Sequence, residues 1–299
     1  MEHPPTTEGD GIVSVGMVER HPPDEVFALL GDETRVRILQ VLGEEVDGPI
    51  SFSDLQARLG ISDSGQFNYH LRKLTDHFVR KEDGGYDLTY AGKQLMGALH
   101  AGTYTASATM EPLEIDSPCP ACGGTLVTEY EDEHVEMSCR DCEEWRNIFP
   151  FPPGALEGFD RDELLDALDR WMWTLLERIY AGFCPNCSGR LDGGIETAAE
   201  HPEGARISFT CERCDEVAEF SVHTLAFFDM DVACFFNGHG FDVRDSPLWE
   251  IADRIDQELE ILSEDPVTVR TRLSIDGHGV QATVGPDLEL RDIEHFETE

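Results

Sequence analysis

The stretch SDLQARLGISDSGQFNYHLRKLT, residues 53–75, decides the fold of the N-terminal third of the chain. Apolar residues recur at helical spacing on both sides of Gly60. This spacing predicts a short helix over 53–59 and a second helix that Ser62 caps and that continues to Thr75. The two helices would pack together through their apolar residues, which are Leu55, Leu59, Ile61, Phe67, Leu71 and Leu74.

The opposite face of the second helix carries amides, hydroxyls and cations. In the major groove of DNA, Asn and Gln can read adenine edges, Arg can read guanine, and Lys can meet phosphate. The segment VRKEDGGYDLTYAG alternates around Asp83-Gly84-Gly85, which predicts a β-hairpin that would lie along the DNA backbone. The candidate DNA contacts are Ser64, Gln66, Asn68, Tyr69, Arg72, Lys73, Arg80 and Lys81.

Further helices are predicted on both sides of this region. Asp24 and Asp32 can cap two helices within residues 24–43, and another helix is predicted from Ala91 to about Ala106. The order helix, helix, short helix, turn, helix, hairpin, helix is typical of a winged helix-turn-helix. We place this DNA-binding domain at residues 21–110, after a Pro-, Gly- and Glu-rich segment over 1–20 that is predicted to be disordered.

The segments DETRVRILQVL, FSDLQARLGISDSGQFNYHLRKL and YDLTYAGKQL resemble the arsenic-repressor (ArsR) type of winged helix. The resemblance covers about residues 24–106, a third of the chain. It implies a homodimer formed through the first and last helices, with one recognition helix for each half-site. Metal-sensing members carry a cysteine pair on the helix before the recognition helix. Here that helix is SDLQARL, so metal sensing at that place is not supported.

The charge distribution sets the same region apart. The chain has 61 Asp and Glu against 22 Lys and Arg, a formal net charge of −39, yet Ser64 to Lys81 holds four basic residues and one acidic residue. Only Lys73, Lys81 and Lys93 are lysines, and all lie in this domain. Phosphate contact is the simplest reason for a basic island in an acidic chain. The alternative is a helix-turn-helix that binds proteins.

The overall composition also bears on where the protein works. An excess of Asp and Glu with scarce Lys resembles cytoplasmic proteins of salt-accumulating archaea, although an ordinary acidic protein has the same sign of charge. The N-terminal MEHPPTTEGDGI is polar, and no stretch reaches the ~18 apolar residues of a membrane span. We therefore expect a soluble, cytoplasmic protein, in which nine cysteines are not a disulfide framework.

Eight of the nine cysteines form four CxxC pairs. Sixteen residues separate the first pair from the second, and 23 separate the third from the fourth. Each CxxC directs two thiolates at one point, and two such pairs complete a tetrahedral four-sulfur shell around an intervening hairpin. The predicted metal ligands are Cys119, Cys122, Cys139 and Cys142 in one zinc ribbon and Cys184, Cys187, Cys211 and Cys214 in the other.

Two structural zinc ions per chain follow from this pattern, because thiolates favour zinc and no ligand position stays open for catalysis. A redox-active CxxC is the alternative. The ninth cysteine, Cys234, lies in an apolar segment and is predicted to be a buried thiol. The first ribbon carries acids at Glu129, Glu131, Asp132, Glu133 and Glu136, which disfavours phosphate contact and favours a scaffold or partner-docking role.

The predicted fold class is α+β, with a first ribbon over 111–155 and a helix, second ribbon and β-rich segment over 156–299. An amphipathic helix is predicted over 160–180 and a further helix from Ser246-Pro247 to about Ser263. The strands VTVRTRLSI, VQATV and LELRDI would close the chain. This C-terminal part resembles the module found behind such winged helices in halophilic archaea. The resemblance does not imply a ligand.

Other residues offer weaker signals. His223, His239, Asp229 and Asp231 could line a pocket, although such residues are more often satisfied core or turn groups. His70 is expected at the edge of the core or on a phosphate, and Trp171 and Trp173 are expected to pack. The sequence has no Gly-rich phosphate loop, nucleophile elbow or HExxH motif, so we do not predict an enzyme.

Three functions remain open. A sequence-specific transcriptional regulator, whose zinc ribbons modulate it or recruit a partner, is favoured. A general initiation factor is the second, because a winged helix followed by a zinc ribbon resembles archaeal transcription factor E alpha; that factor ends at one ribbon, whereas this chain has two and continues for 85 residues past Cys214. A zinc-ribbon adaptor that binds only proteins is the third.

Overall fold

A computed structural model describes residues 20–45, 47–197 and 204–297. The chain separates into two compact units, Met1–His100 and Ala101–Glu299. The predicted disorder of the N-terminal segment falls on residues 1–19, which lie outside the described residues. The first unit is mainly helical and the second contains three antiparallel sheets, so the predicted mixed α+β class is confirmed. None of the helices in the described ranges is long and apolar enough to cross a membrane.

The first unit contains five helices and one hairpin among its described residues. The helices are α1 (Pro23–Ala28), α2 (Glu33–Gly43), α3 (Phe52–Leu59), α4 (Ser64–Leu74) and α5 (Tyr90–His100), and the hairpin joins β1 (Val79–Glu82) to β2 (Gly85–Leu88). The turn of the hairpin lies at Asp83-Gly84, as the alternating pattern predicted. The last helix is shorter than predicted, since it ends at His100 and turns follow it.

Local capping explains most of these boundaries. The Asp32 side chain accepts a hydrogen bond from the Arg35 amide at the start of α2, as predicted. Gly60 ends α3 in the left-handed conformation, with a φ of 68° that other residues rarely adopt.

Two predicted caps are wrong. Asp63, not Ser62, caps α4, because its carboxylate accepts the amides of the first helical turn. Asp24 does not cap α1 but lies inside it, since Pro23, whose fixed φ suits the first helical position, already begins the helix.

The predicted packing of α3 against α4 is confirmed. Leu55, Phe67, Leu71 and Leu74 are essentially inaccessible to solvent, and they share one core with residues of α2. The α2 contribution differs from the prediction in one respect, since Ile38 is fully buried whereas Val36 is only half-buried. This core fixes which face of α4 is buried and therefore which face is presented outward.

The second unit begins with a four-stranded sheet, a short 3₁₀ helix and a long helix. The sheet comprises β3 (Leu113–Pro118), β4 (Thr125–Glu131), β5 (His134–Cys139) and β6 (Arg146–Pro150), and the helix is α6 (Arg161–Tyr180). A capping box between Asp160 and Glu163 starts α6 where predicted. The predicted packing roles of its tryptophans are confirmed, since Trp173 is buried and Trp171 donates to the Pro150 carbonyl at 2.7 Å.

The described residues in the rest of this unit form two more sheets and three short helices. The second sheet comprises β7 (Leu191–Thr197), β8 (Ala205–Cys211) and β9 (Val217–Phe220), the helices are α7 (Val222–Ala226), α8 (Met230–Gly238) and α9 (Leu248–Arg254), and the third sheet comprises β10 (Asp256–Glu264), β11 (Val267–Ile275), β12 (His278–Val284) and β13 (Leu290–Glu297). The predicted long helix to Ser263 is wrong, because its second half is the strand β10.

A further sequence prediction fails in α8. Cys234 is exposed, not buried. The buried residues of that helix are Val232, Phe235 and Phe236. At about 100° per residue, Cys234 lies on the opposite side of the helix from these three. An apolar local sequence therefore does not bury every residue in it.

Asp169 of α6 is buried beside the start of α9. Its carboxylate accepts the Leu248 amide at 3.0 Å and so caps α9, which has no cap of its own. Burial raises the pKa of Asp169 to about 6, even though the Leu248 hydrogen bond opposes the shift. Because a pKa of about 6 exceeds the unfolded value of 3.8, the folded state favours the protonated form. This contribution to stability is present at low pH and is lost as the pH rises through 6.

Asp169→Asn keeps an acceptor for the Leu248 amide without a charge, and we expect it to stabilise the protein increasingly as the pH rises. Between about pH 5 and about pH 8 the gain in free energy of unfolding should increase by about 1 kcal/mol. Urea unfolding of the variant and the native protein measures this difference. Asp253→Asn, at an exposed position on α9, is the control and should show little pH dependence. A gain that is the same at both pH values would contradict the assignment.

Candidate metal centres and nucleic-acid interface

Each predicted group of four cysteines comes together in space. All four sulfurs of each group lie within 4.8 Å of one another, and these two groups are the only such sets of metal-ligating side chains in the described ranges. The first group joins the ends of β3–β4 and β5–β6, and the second joins the loop before β7 to the end of β8. The hairpins predicted between the CxxC pairs are therefore confirmed as β4–β5 and β7–β8.

The sulfur spacing fits a tetrahedral metal site. The short contacts join sulfurs of different CxxC pairs: 3.8 Å for Cys119–Cys142, 3.6 Å for Cys122–Cys139, 3.7 Å for Cys184–Cys214 and 3.5 Å for Cys187–Cys211. A tetrahedral shell with metal–sulfur distances of about 2.3 Å places its sulfurs about 3.8 Å apart, whereas a disulfide requires about 2 Å. Each group can thus hold one metal ion.

Backbone amides polarise these sulfurs in a repeated pattern. One sulfur of each CxxC pair accepts the amide two residues later, at 3.3–3.4 Å; the four donor–acceptor pairs are Gly124–Cys122, Asp141–Cys139, Gly189–Cys187 and Arg213–Cys211. At Gly189 an added Cβ would lie 3.0–3.1 Å from two sulfurs of the group, so the cluster would have to shift by a few tenths of an ångström to admit a side chain. This contact explains the glycine after the third pair.

The same amides favour thiolates, the form that binds metals. Burial acts to raise the pKa of Cys139, but the Asp141 amide and neighbouring groups outweigh it and lower the pKa to about 7. In the second cluster the pKa of Cys211 is likewise lowered to about 7, against burial, by the Arg213 amide and its neighbours. Each cluster therefore holds one sulfur that is readily deprotonated near neutral pH, whereas at Cys122 and Cys214 a backbone amide is outweighed by hydrogen bonds with the other cysteines, which raise the pKa of each to about 12.

All eight residues predicted to contact DNA are exposed. Six of them lie on α4: Ser64, Gln66, Asn68, Tyr69, Arg72 and Lys73. The buried residues of this helix, Phe67, His70, Leu71 and Leu74, occupy one arc of about 100°, so the six polar positions share the remaining surface. His70 belongs to the core edge, and its Nδ1 lies 3.3 Å from Asp32 Oδ1 without hydrogen-bond geometry.

The hairpin presents its two predicted contacts differently. Arg80 pairs with Asp87 at 2.6 Å and with Glu82 at 3.0 Å, and the Asp87 hydrogen bond raises the pKa of Arg80. Lys81 forms no ion pair with any described residue and lies over the Tyr86 ring at 5.8 Å. Of the four basic residues between Ser64 and Lys81, three are therefore available on this surface. The charge of the fourth, Arg80, is balanced within the hairpin.

One supporting residue was missed by sequence reasoning. The Gln56 amide of α3 donates to the Ser64 hydroxyl at 3.0 Å and to the Ile61 carbonyl at 2.9 Å. These bonds hold the first turn of α4 against α3. Gln56 lies outside the apolar pattern, and its link to Ser64 across eight residues has no local sequence signal.

The histidines and acids considered for a pocket serve separate roles. His223 is buried, with Nδ1 2.7 Å from the Thr271 hydroxyl, and Asp229 caps α8 by accepting the Asp231 amide at 2.8 Å. Asp231 is exposed, and His239 lies at the end of α8. They do not converge on one cavity.

Two family models match the chain. One, described as domain of unknown function DUF7351, matches residues 116–290, and the other, described as domain of unknown function DUF7347, matches residues 23–99. The first match includes both cysteine clusters, and the second includes all of α4 and the hairpin. The division between the matches agrees with the two compact units. No curated protein and no solved structure matches the chain.

Proposed function

The chain belongs to the DUF7351 family, whose domain of unknown function covers more than half of it, and we propose that it is a DNA-binding transcriptional regulator with two structural zinc ions. The observation that carries this proposal is the outward face of α4, where two cations and three polar side chains suited to base reading share one exposed surface. In a helix-turn-helix the recognition helix presents such side chains to the major groove.

The charge of this face supports contact with phosphate. Neither Arg72 nor Lys73 is engaged in an ion pair with another described residue of its unit. In a chain of net charge −39, two exposed cations without carboxylate partners are available to an external anion such as a DNA phosphate. Lys73 Nζ lies 5.9 Å above the Tyr69 ring, which keeps both groups on the exposed face.

The hairpin supplies the second contact in this proposal. We assign Lys81 to the DNA backbone and Arg80 to the stability of the hairpin, because Asp87 already neutralises Arg80. The ArsR-type resemblance adds a homodimer with one α4 for each half-site of a pseudo-palindromic operator. The acidic surface of the first sheet disfavours phosphate contact and is available to a protein partner.

Zinc is the metal we propose for both clusters. Four thiolates at tetrahedral spacing suit zinc, because its d-electrons impose no other coordination geometry. They also leave no coordination position open to a substrate. Two cysteines of each group are buried, Cys119 and Cys139 in the first and Cys184 and Cys211 in the second, whereas Cys122 and Cys214 are exposed. Four protein ligands would occupy every position of a tetrahedral ion, which supports a structural role.

Genome-wide occupancy in the native host tests the proposed function. A few discrete intergenic peaks are expected for a regulator. Signal at nearly every promoter would instead identify a general initiation factor, and no enrichment would identify a protein-binding adaptor. A strain that carries Arg72→Ala, with unchanged protein abundance, is the matched control and should lose the discrete peaks.

A further inference from the structure

Two imidazoles meet at one end of the third sheet, away from the cysteine clusters in sequence. His239 follows the last turn of α8, and His278 begins β12. Their ring centroids lie 4.9 Å apart, with 35° between the ring planes. Both side chains are exposed, so an ion from solvent can reach them.

A hydrogen bond fixes the orientation of the His239 ring and leaves one of its nitrogens available to a ligand. Nδ1 lies 2.8 Å from the Phe235 carbonyl oxygen. A carbonyl can only accept, so Nδ1 is the donor, and Nε2 is the nitrogen left to bind a ligand. Histidines that bind metals nearly always have this arrangement, in which the other ring nitrogen donates to a carbonyl or carboxylate.

The spacing of the two rings matches that of two imidazoles on one ion. With metal–nitrogen distances of about 2.0–2.1 Å, each ring centre lies about 3.2 Å from the metal, so ligand angles of about 90–109° give centroids about 4.5–5.2 Å apart. The separation of 4.9 Å between His239 and His278 lies within this range.

Other polar side chains lie on the same face of the sheet as His278. Strand pairing sets His278 opposite Glu297 and Val280 opposite His295, so these side chains share one face of the sheet. The Phe235 ring contacts both His239, at 4.4 Å between centroids, and His295, at 4.9 Å. Among the described residues no third donor stands close enough to both rings to join the pair, so water would complete the shell of a bound ion.

We propose that His239 and His278 form a third metal site, which binds a divalent transition metal through two imidazole nitrogens. Imidazole ligands suit zinc, nickel, copper and iron, in contrast to the all-thiolate clusters. The strongly negative charge of the chain also favours a cation over an anion here. The site is independent of the proposed DNA contacts, so either proposal can fail alone.

Titration with Ni²⁺ tests this site in the untagged full-length protein with both cysteine clusters loaded with zinc. We expect calorimetry to show one additional ion per chain, with no zinc released to a chromogenic indicator. His278→Gln, at an exposed strand end, and His239→Ala should each weaken nickel binding by about tenfold or more, because each removes one of two ligands. Zinc content and circular dichroism verify the fold of each variant.

His134→Ala provides the matched control. His134 is also exposed, and its Nδ1 lies 2.8 Å from a backbone carbonyl, that of Asp132, but no second imidazole contacts it among the described residues. This variant should bind nickel like the native protein. The proposal is overturned if the native protein binds no nickel beyond displacement of zinc, or if both His239→Ala and His278→Gln bind it as tightly as the native protein does.

Discussion

Alanine at both Arg72 and Lys73 is expected to weaken binding to an operator duplex by roughly 30-fold or more, since each contact of this kind contributes about 1–3 kcal/mol. Both side chains are exposed on α4, and the helix is held by buried residues on its other side, so the fold should persist. Fluorescence anisotropy with a duplex taken from an occupied promoter measures the loss. Unchanged affinity would contradict the assignment of α4 as the recognition helix.

The single variants separate the two kinds of contact. Lys73→Ala should weaken binding to all duplexes alike and reduce the slope of log affinity against log salt by about 0.9, as expected for one phosphate contact. Arg72→Ala and Gln66→Ala should instead reduce discrimination between operator and unrelated duplexes. Arg58→Ala is the control, because Arg58 is exposed on α3 but pairs with Glu45 at 2.7 Å.

Removal of metal from both cysteine clusters is expected to unfold the sheets of the second unit. Apparent binding free energies of about 10–16 kcal/mol for structural zinc exceed the stability of most domains. The native protein should contain two zinc ions per chain, and a strong chelator should abolish the near-ultraviolet dichroism of the four tryptophans, all of which lie in the second unit. The first unit has no cysteine and its own core, so its helical signal should survive.

Single cysteine substitutions sharpen this prediction. Cys139→Ser should lower the zinc content by one ion, because Cys139 is a buried member of the first cluster. Cys234→Ser is the control, since Cys234 is exposed on α8 and belongs to neither cluster. A folded second unit without metal would refute the structural role of the clusters.

Local sequence signals predicted several helix boundaries, although the predicted caps at Ser62 and Asp24 were wrong. The cap at Asp32, the stop at Gly60 and the start of α6 at Asp160 each depend on residues within one turn, and each was predicted. The cysteine clusters were predictable for a related reason. Paired CxxC spacing restricts the backbone so strongly that the ligands of both sites follow from the sequence.

In the C-terminal part the prediction failed because strand pairing outweighs the helical preference of the segment. The segment DQELEILSE has helix-forming residues, but it forms the edge strand β10, where Glu258 and Glu260 pair with arginines of β11. Tertiary context outweighs intrinsic propensity there. The meeting of His239 with His278 depends on how α8 packs near the third sheet, so no spacing in the sequence indicates it.

The candidate DNA interface shows the same limit. Which residues of α4 point outward was predictable from the helical period of its apolar positions. The ion pair between Arg80 and Asp87 was not predicted, because it depends on which residues face each other across the hairpin. Counting charges along the chain therefore gave the sign of this surface but not the number of cations available on it.

Binding of the full-length native protein to duplex DNA as a function of salt tests the central claim most directly. We expect measurable affinity for duplex fragments of the host genome, with a log–log salt slope that corresponds to a few phosphate contacts and tighter binding to a small subset of fragments. Absence of affinity for any duplex at every salt concentration would contradict the claim that the cationic face of α4 binds DNA.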